Sequence, residues 1–165
     1  MENGNYLLQP GYIYVPEKAV SISTVIGSGV AVCIFNKKTR IGGMNHFQLP
    51  FISTKGRTTT MYGNIATLTL IKMMLTFESG TRTTKVKNLE AQIFGGAYNP
   101  DNSDKDVGKQ NIEIARKILN QNKIAILSED TGGKKGRKVV FNINTNEAAV
   151  LKVDNLRDAD WYPYQ

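Results

Sequence analysis

A chain of 165 residues with one cysteine and one histidine can form no internal disulfide and no Cys/His metal cluster, so neither a metal nor a cofactor is expected. Its hydrophobic share of 41% and charged share of 21% are ordinary for a soluble globular chain, and no apolar run approaches the ~18 residues of a membrane span. The formal charge of +7 favours an acidic partner. The basic clusters at 36–40, 54–57, 81–87 and 132–138 lack interleaved aromatics and match no nucleic-acid motif, so nucleic acid is not an expected partner. The opening "MENGNYLLQPG" has neither a basic region nor a long apolar segment, and the expected location is the cytoplasm, without membrane insertion.

In chain order, alternating apolar residues predict a strand over "VAVCIF" (30–35) and its partner over "RIGGMNHFQL" (40–49), joined by the turn "NKKT". A helix follows from about Tyr62 to Phe77, with Ile65, Leu68, Ile71 and Leu75 expected on its buried face. "AQIFGGA" (91–97) reads as a strand, and the polar loop "NPDNSDKD" (99–106) offers Asp104 and Asp106 as caps for a second helix over 107–120. That helix is expected to bury Ile114, Ala115 and Ile118. "KIAILSED" (123–130), "RKVVFNIN" (137–144) and "EAAVLKV" (147–153) are further strands, the last two a hairpin across "TN". The expected fold is α/β of the α+β type: a mostly antiparallel sheet with two main helices packed on it. Residues 1–153 form the domain, and 154–165, "DNLRDADWYPYQ", an aromatic tail.

The chain offers one thiol. A cysteine nucleophile needs a base that meets it in space, and His46 lies thirteen residues beyond Cys33 on the paired strand. Cys33 itself sits inside an apolar strand, where cysteine usually behaves as a small buried hydrophobe. The glycine-rich segments "IGSG" (26–29), "FGGA" (94–97) and "EDTGG" (129–133) each follow a strand. They lack phosphate-loop spacing and read either as tight turns or as a pocket rim.

Taken together, "PGYIYV", "ISTVIGSGVAVCIFN", "IGGMNHFQLP", "LEAQIFGGAYNP", "VGKQNIEIARKIL", "AILSEDTGGKKGRKVVFNINTNE" and "VLKV" resemble, in order and spacing, the chemoreceptor glutamine deamidase (CheD) family over residues 8–153. The resemblance implies a bacterial chemotaxis protein that converts receptor glutamine to glutamate and ammonia. Its implied partners are the cytoplasmic methylation helices of chemoreceptors and a CheC-like CheY-phosphate phosphatase. It also implies a thiolate attacking the amide carbon, backbone N–H groups holding the oxyanion, a histidine protonating ammonia, and an upstream threonine hydroxyl orienting that histidine.

The family pattern "G-S-C-V-A-V-C" stands here as "GSGVAVC". The resemblance therefore places Gly29 at the nucleophile position, His46 as base and acid, Ser23 at the orienting hydroxyl, with Thr24 as a neighbouring substitute, and Cys33 at the non-catalytic second cysteine. Cys33 lies four residues past Gly29, ~13 Å along an extended strand, too far to replace it. Gly29 and His46 are expected side by side at one rim of the sheet. The implied function is a receptor- or phosphatase-binding homologue with impaired catalysis. The alternative is an ordinary active deamidase whose cysteine was changed to glycine. For the tail, Trp161 is expected to be substantially buried, either on the protein's own surface or on a partner.

Overall fold

The computed structural model describes residues 4–53, 59–76 and 85–162. The basic cluster at 54–57, residues 81–84 of the cluster at 81–87, Phe77 and the tail residues 163–165 lie outside the described residues. The strands are β1 (Asn5–Leu7), β2 (Ile13–Tyr14), β3 (Ser21–Ile26), β4 (Val30–Asn36), β5 (Gly42–Phe47), β6 (Leu89–Gly95), β7 (Ala125–Thr131), β8 (Gly136–Asn142) and β9 (Glu147–Val153). The helices are α1 (Gly63–Thr76), α2 (Val107–Gln121) and α3 (Asp158–Trp161). The fold class agrees with the sequence, but the expected sheet is two sheets: a four-stranded one in the order β1-β3-β8-β9 and a five-stranded one in the order β2-β5-β4-β6-β7. The β1–β3 and β6–β7 pairs are parallel and the others antiparallel.

Strand β4 shows how the layers form. Val30, Val32 and Ile34 face one apolar cluster with Leu70 of α1 and Ala115 of α2. Ala31, Cys33 and Phe35 face a second cluster with Ile22 of β3 and Phe141 of β8. Both faces are covered, which is why β4 reads as an unbroken apolar run. The molecule is thus helices, five-stranded sheet, four-stranded sheet.

Helix α2 starts where expected, with the Asp106 carboxylate accepting a 2.8 Å hydrogen bond from Lys109 N–H. It buries Ala115 and Ile118 as expected, together with Asn111, Ile112 and Leu119, while Ile114 is only partly buried. In α1 the buried face is Ala66, Thr67, Leu70, Ile71 and Met74. Of the expected stripe only Ile71 belongs to it, and Ile65, Leu68 and Leu75 sit at its margins. "NIATLTLIKMML" is apolar around most of its circumference, so spacing alone does not single out the face that the sheet covers.

The three glycine-rich segments meet one another. Gly96 N–H donates to the Gly29 carbonyl at 2.7 Å, Ala97 N–H to Gly27 at 3.1 Å, Gly132 N–H to Gly95 at 2.9 Å and Tyr98 N–H to Gly133 at 2.8 Å. Gly95 adopts φ +109°, and a Cβ there would sit 2.5 Å from the Gly29 carbonyl oxygen, so only glycine allows the approach. This junction fixes the turn between β3 and β4.

Candidate active site

Gly29 lies in that turn, and His46 lies one residue from the end of β5, opposite Ala31 in the β4–β5 register. A Cβ placed on Gly29 would be 3.1 Å from His46 Nε2 and 3.5 Å from its Cδ2. The two positions are side by side, as expected. Cys33 pairs with Met44, deeper in the sandwich, and burial pushes its thiol well above the usual range. It is a core residue.

His46 is 1% exposed. Its main chain is tied to the segment before β2, its N–H donating to Tyr12 and its carbonyl accepting from Gly11 N–H. Its Nδ1 lies 2.9 Å from Thr24 Oγ1. The same hydroxyl donates to the Leu8 carbonyl at 2.8 Å. A carbonyl only accepts, and a hydroxyl has one proton. Both contacts are therefore satisfied when Thr24 donates to Leu8 and accepts from Nδ1–H. That network assigns the tautomer and leaves the Nε2 lone pair aimed at position 29. Burial lowers the imidazole pKa to about 4, so the ring is neutral near pH 7.

Ser23 is not the hydroxyl that meets His46. Its Oγ lies 3.5 Å from the Tyr6 carbonyl. In the β3–β8 register Thr24 is opposite buried Val139 and Ser23 opposite Val140, which is 40% exposed. Side chains alternate along a strand, so Thr24 points between the sheets and Ser23 away.

Sequence reasoning missed Asn111. Its side-chain NH₂ donates to the Ser28 carbonyl at 2.9 Å and to the Gln48 carbonyl at 3.0 Å, bracing the two backbone segments that carry Gly29 and His46. The signal was legible: Asn111 is a polar residue in the buried stripe of α2. Gly29, His46, Gln48, Leu49, Val107 and Trp161 line a cleft of about 480 Å³. Trp161, also missed as a site residue, is half-buried and lies on the segment after β9 that folds back over the β3–β4 turn.

The family model described as CheD chemotactic sensory transduction matches residues 49–152. The chain belongs to the CheD family. It is 38% identical over 142 residues to a probable chemoreceptor glutamine deamidase CheD of Trichlorobacter lovleyi, covering 85% of each chain. Identity is 36% over 157 residues to one of Sulfurimonas denitrificans, 93% of this chain and 97% of the relative. With the chemoreceptor glutamine deamidase CheD of Thermotoga maritima it is 34% over 142 residues, 86% and 87% of the two chains. The span of the CheD model starts after Gly29 and His46, so the geometry of this site stands beside the family assignment and is not part of it.

Proposed function

We propose that this CheD-family protein binds the glutamine-bearing methylation helices of chemoreceptors and turns them over negligibly, because position 29 offers no nucleophile. One observation carries the reading: the Nε2 lone pair of His46 faces a backbone with no side chain, 3.1 Å from where a Cβ would stand. A neutral imidazole there can take a proton from a thiol. With glycine no bond to the amide carbon forms, and the rate falls to what binding and oxyanion contacts alone supply. The relatives named as deamidases support the substrate class. The net charge of +7 suits a Glu/Gln-rich helix. A CheC-like phosphatase is the further partner this reading carries.

The intact Thr24–His46 network favours a second reading, an otherwise competent deamidase in which cysteine gave way to glycine. Incubation with a receptor cytoplasmic fragment separates these from a wrong assignment. The first two expect binding with no ammonia release or Gln-to-Glu mass shift. Ready turnover that Cys33→Ala abolishes would overturn both.

A further inference from the structure

We infer that the segment after β9 is the second wall of the binding cleft, with Trp161 as the contact for the apolar flank of a glutamine-bearing helix. The inference rests on the receptor-helix reading and adds to it a surface outside the span of the CheD model, which ends at residue 152.

The segment is seated, not draped. A Cβ on Gly136 would lie 2.5 Å from Leu156 Cδ1, so Leu156 occupies the space that a glycine leaves. A Cβ on Gly27, in the same turn as Gly29, would be 3.7 Å from both Leu156 Cδ1 and Trp161 Cζ2. The one-turn helix α3 is held by Asp160, whose carboxylate accepts from Arg157 N–H at 2.9 Å and lies 3.6 Å from Lys138 Nζ. These contacts fix the indole at the mouth of the His46 cleft.

Trp161 also lines the adjoining cleft of about 360 Å³, which holds Tyr98, Asn99, Lys105 and Lys134. The two clefts share Gly27, Ser28, Val107 and Trp161 and form one groove that runs past the indole. Its chemistry changes along its length. At the His46 end Leu49, 41% exposed, lines the cleft together with Trp161, two apolar side chains that a partner's aliphatic residue can cover. At the other end stand Lys105 and Lys134, with Asp154 paired to Lys135 at 3.3 Å. The fitting occupant is an amphipathic helix that places glutamine at His46, an aliphatic residue one turn away between Trp161 and Leu49, and carboxylates toward Lys105 and Lys134.

Trp161 is the chain's only tryptophan, so its emission reports on this wall without any variant. The unmodified protein is titrated with a fluorophore-labelled helical peptide bearing one glutamine, a leucine one turn away and flanking glutamates. Peptide anisotropy and Trp161 emission are read together. We expect both to saturate at the same midpoint, and Trp161→Ala to weaken binding about tenfold or more while Trp161→Phe largely retains it. If anisotropy saturates but emission is unmoved, or Trp161→Ala binds equally well, the helix docks elsewhere. The wall is then wrong although the receptor-helix reading stands. If removal of residues 154–165 tightens binding, the segment is a strap over the cleft and the wall is again overturned. If anisotropy never rises, the receptor-helix reading fails and this inference fails with it.

Discussion

Restoring a thiol at position 29 tests the site most directly, and the structure shows that the change has two opposed effects. A Cβ on Gly29 would stand 2.7 Å from the Phe47 carbonyl oxygen, closer than non-bonded atoms tolerate. The β3–β4 turn must therefore shift by a few tenths of an ångström against β5. That turn is braced by Asn111 and by the Gly96 and Ala97 N–H bonds, so the shift is resisted. Overpacking of this kind typically costs ~1–3 kcal/mol, which at ~2–4 °C per kcal/mol for a chain of this size lowers the melting temperature by about 2–12 °C. In return the thiol stands beside a neutral imidazole whose lone pair faces it. We expect Gly29→Cys to raise glutamine hydrolysis on a receptor fragment by ~10³-fold or more over the unmodified chain. The assays are ammonia release and the Gln-to-Glu mass shift. Gly29→Ala is the control, since it carries the same steric cost and no nucleophile. A folded Gly29→Cys protein that binds the fragment, yet alkylates slowly at pH 7 and releases no ammonia, would refute the assignment of position 29.

The remaining expectations follow from individual contacts. In the Gly29→Cys background Thr24→Val leaves the Leu8 carbonyl and His46 Nδ1 unpaired, so turnover should fall ~10–100-fold and stability by ~1–3 kcal/mol; Ser23→Ala should change stability by less than ~0.5 kcal/mol, and the reverse ranking would restore Ser23 as the orienting hydroxyl. Cys33 is 1% exposed with a thiol pushed up by burial, so thiol reagents should label the native chain only as fast as it unfolds. Between pH 6.5 and the folded-state value of about 4 the unfolded imidazole binds a proton and the folded one does not. Stability should therefore fall as pH drops through that window, by on the order of 3 kcal/mol in all; His46→Gln should flatten that part of the melting-temperature profile, and an unchanged slope would show that other groups produce it.

How much of this was legible depends on what each residue needed to know about its neighbours. Strand β4 and the pairing of β8 with β9 could be read directly, because an apolar run and two neighbouring alternating strands are local signals, although the turn between them spans residues 143–146 and not "TN" alone. The second sheet could not. Its edge strand β1 has only three residues, too short for any alternation to show, as is β2 of the five-stranded sheet with two. Gly29 and His46 were singled out by the family resemblance, and their adjacency was expected from the spacing and the pairing of β4 with β5. The hydroxyl that meets His46 was not legible. "SIST" offers two serines and a threonine in one strand, and which of them faces inward is decided by the register against Val139 and Val140, a contact more than a hundred residues away. Trp161 was expected to be substantially buried on the protein's own surface or on a partner, and within the chain it folds back half-buried. That it lands at the His46 cleft depended on Leu156 finding the space above Gly136, which no local pattern encodes.

An intact histidine and hydroxyl beside a missing thiol fits an otherwise competent site, and the same groups also hold the fold. Thr24 satisfies the Leu8 carbonyl, the buried His46 ring pairs its Nδ1 with Thr24 Oγ1, and Asn111 closes two backbone carbonyls. Losing any of them orphans buried polar atoms, which is costly whether or not a reaction occurs. Position 29 differs. No polar partner depends on a side chain there, and the Phe47 carbonyl closes on the space it would fill. Stability and catalysis therefore separate at this one residue. Changes at Thr24 or His46 lower both together, whereas Gly29→Cys lowers one and raises the other. Melting temperature and turnover measured side by side on these variants should show opposite signs of coupling only at position 29.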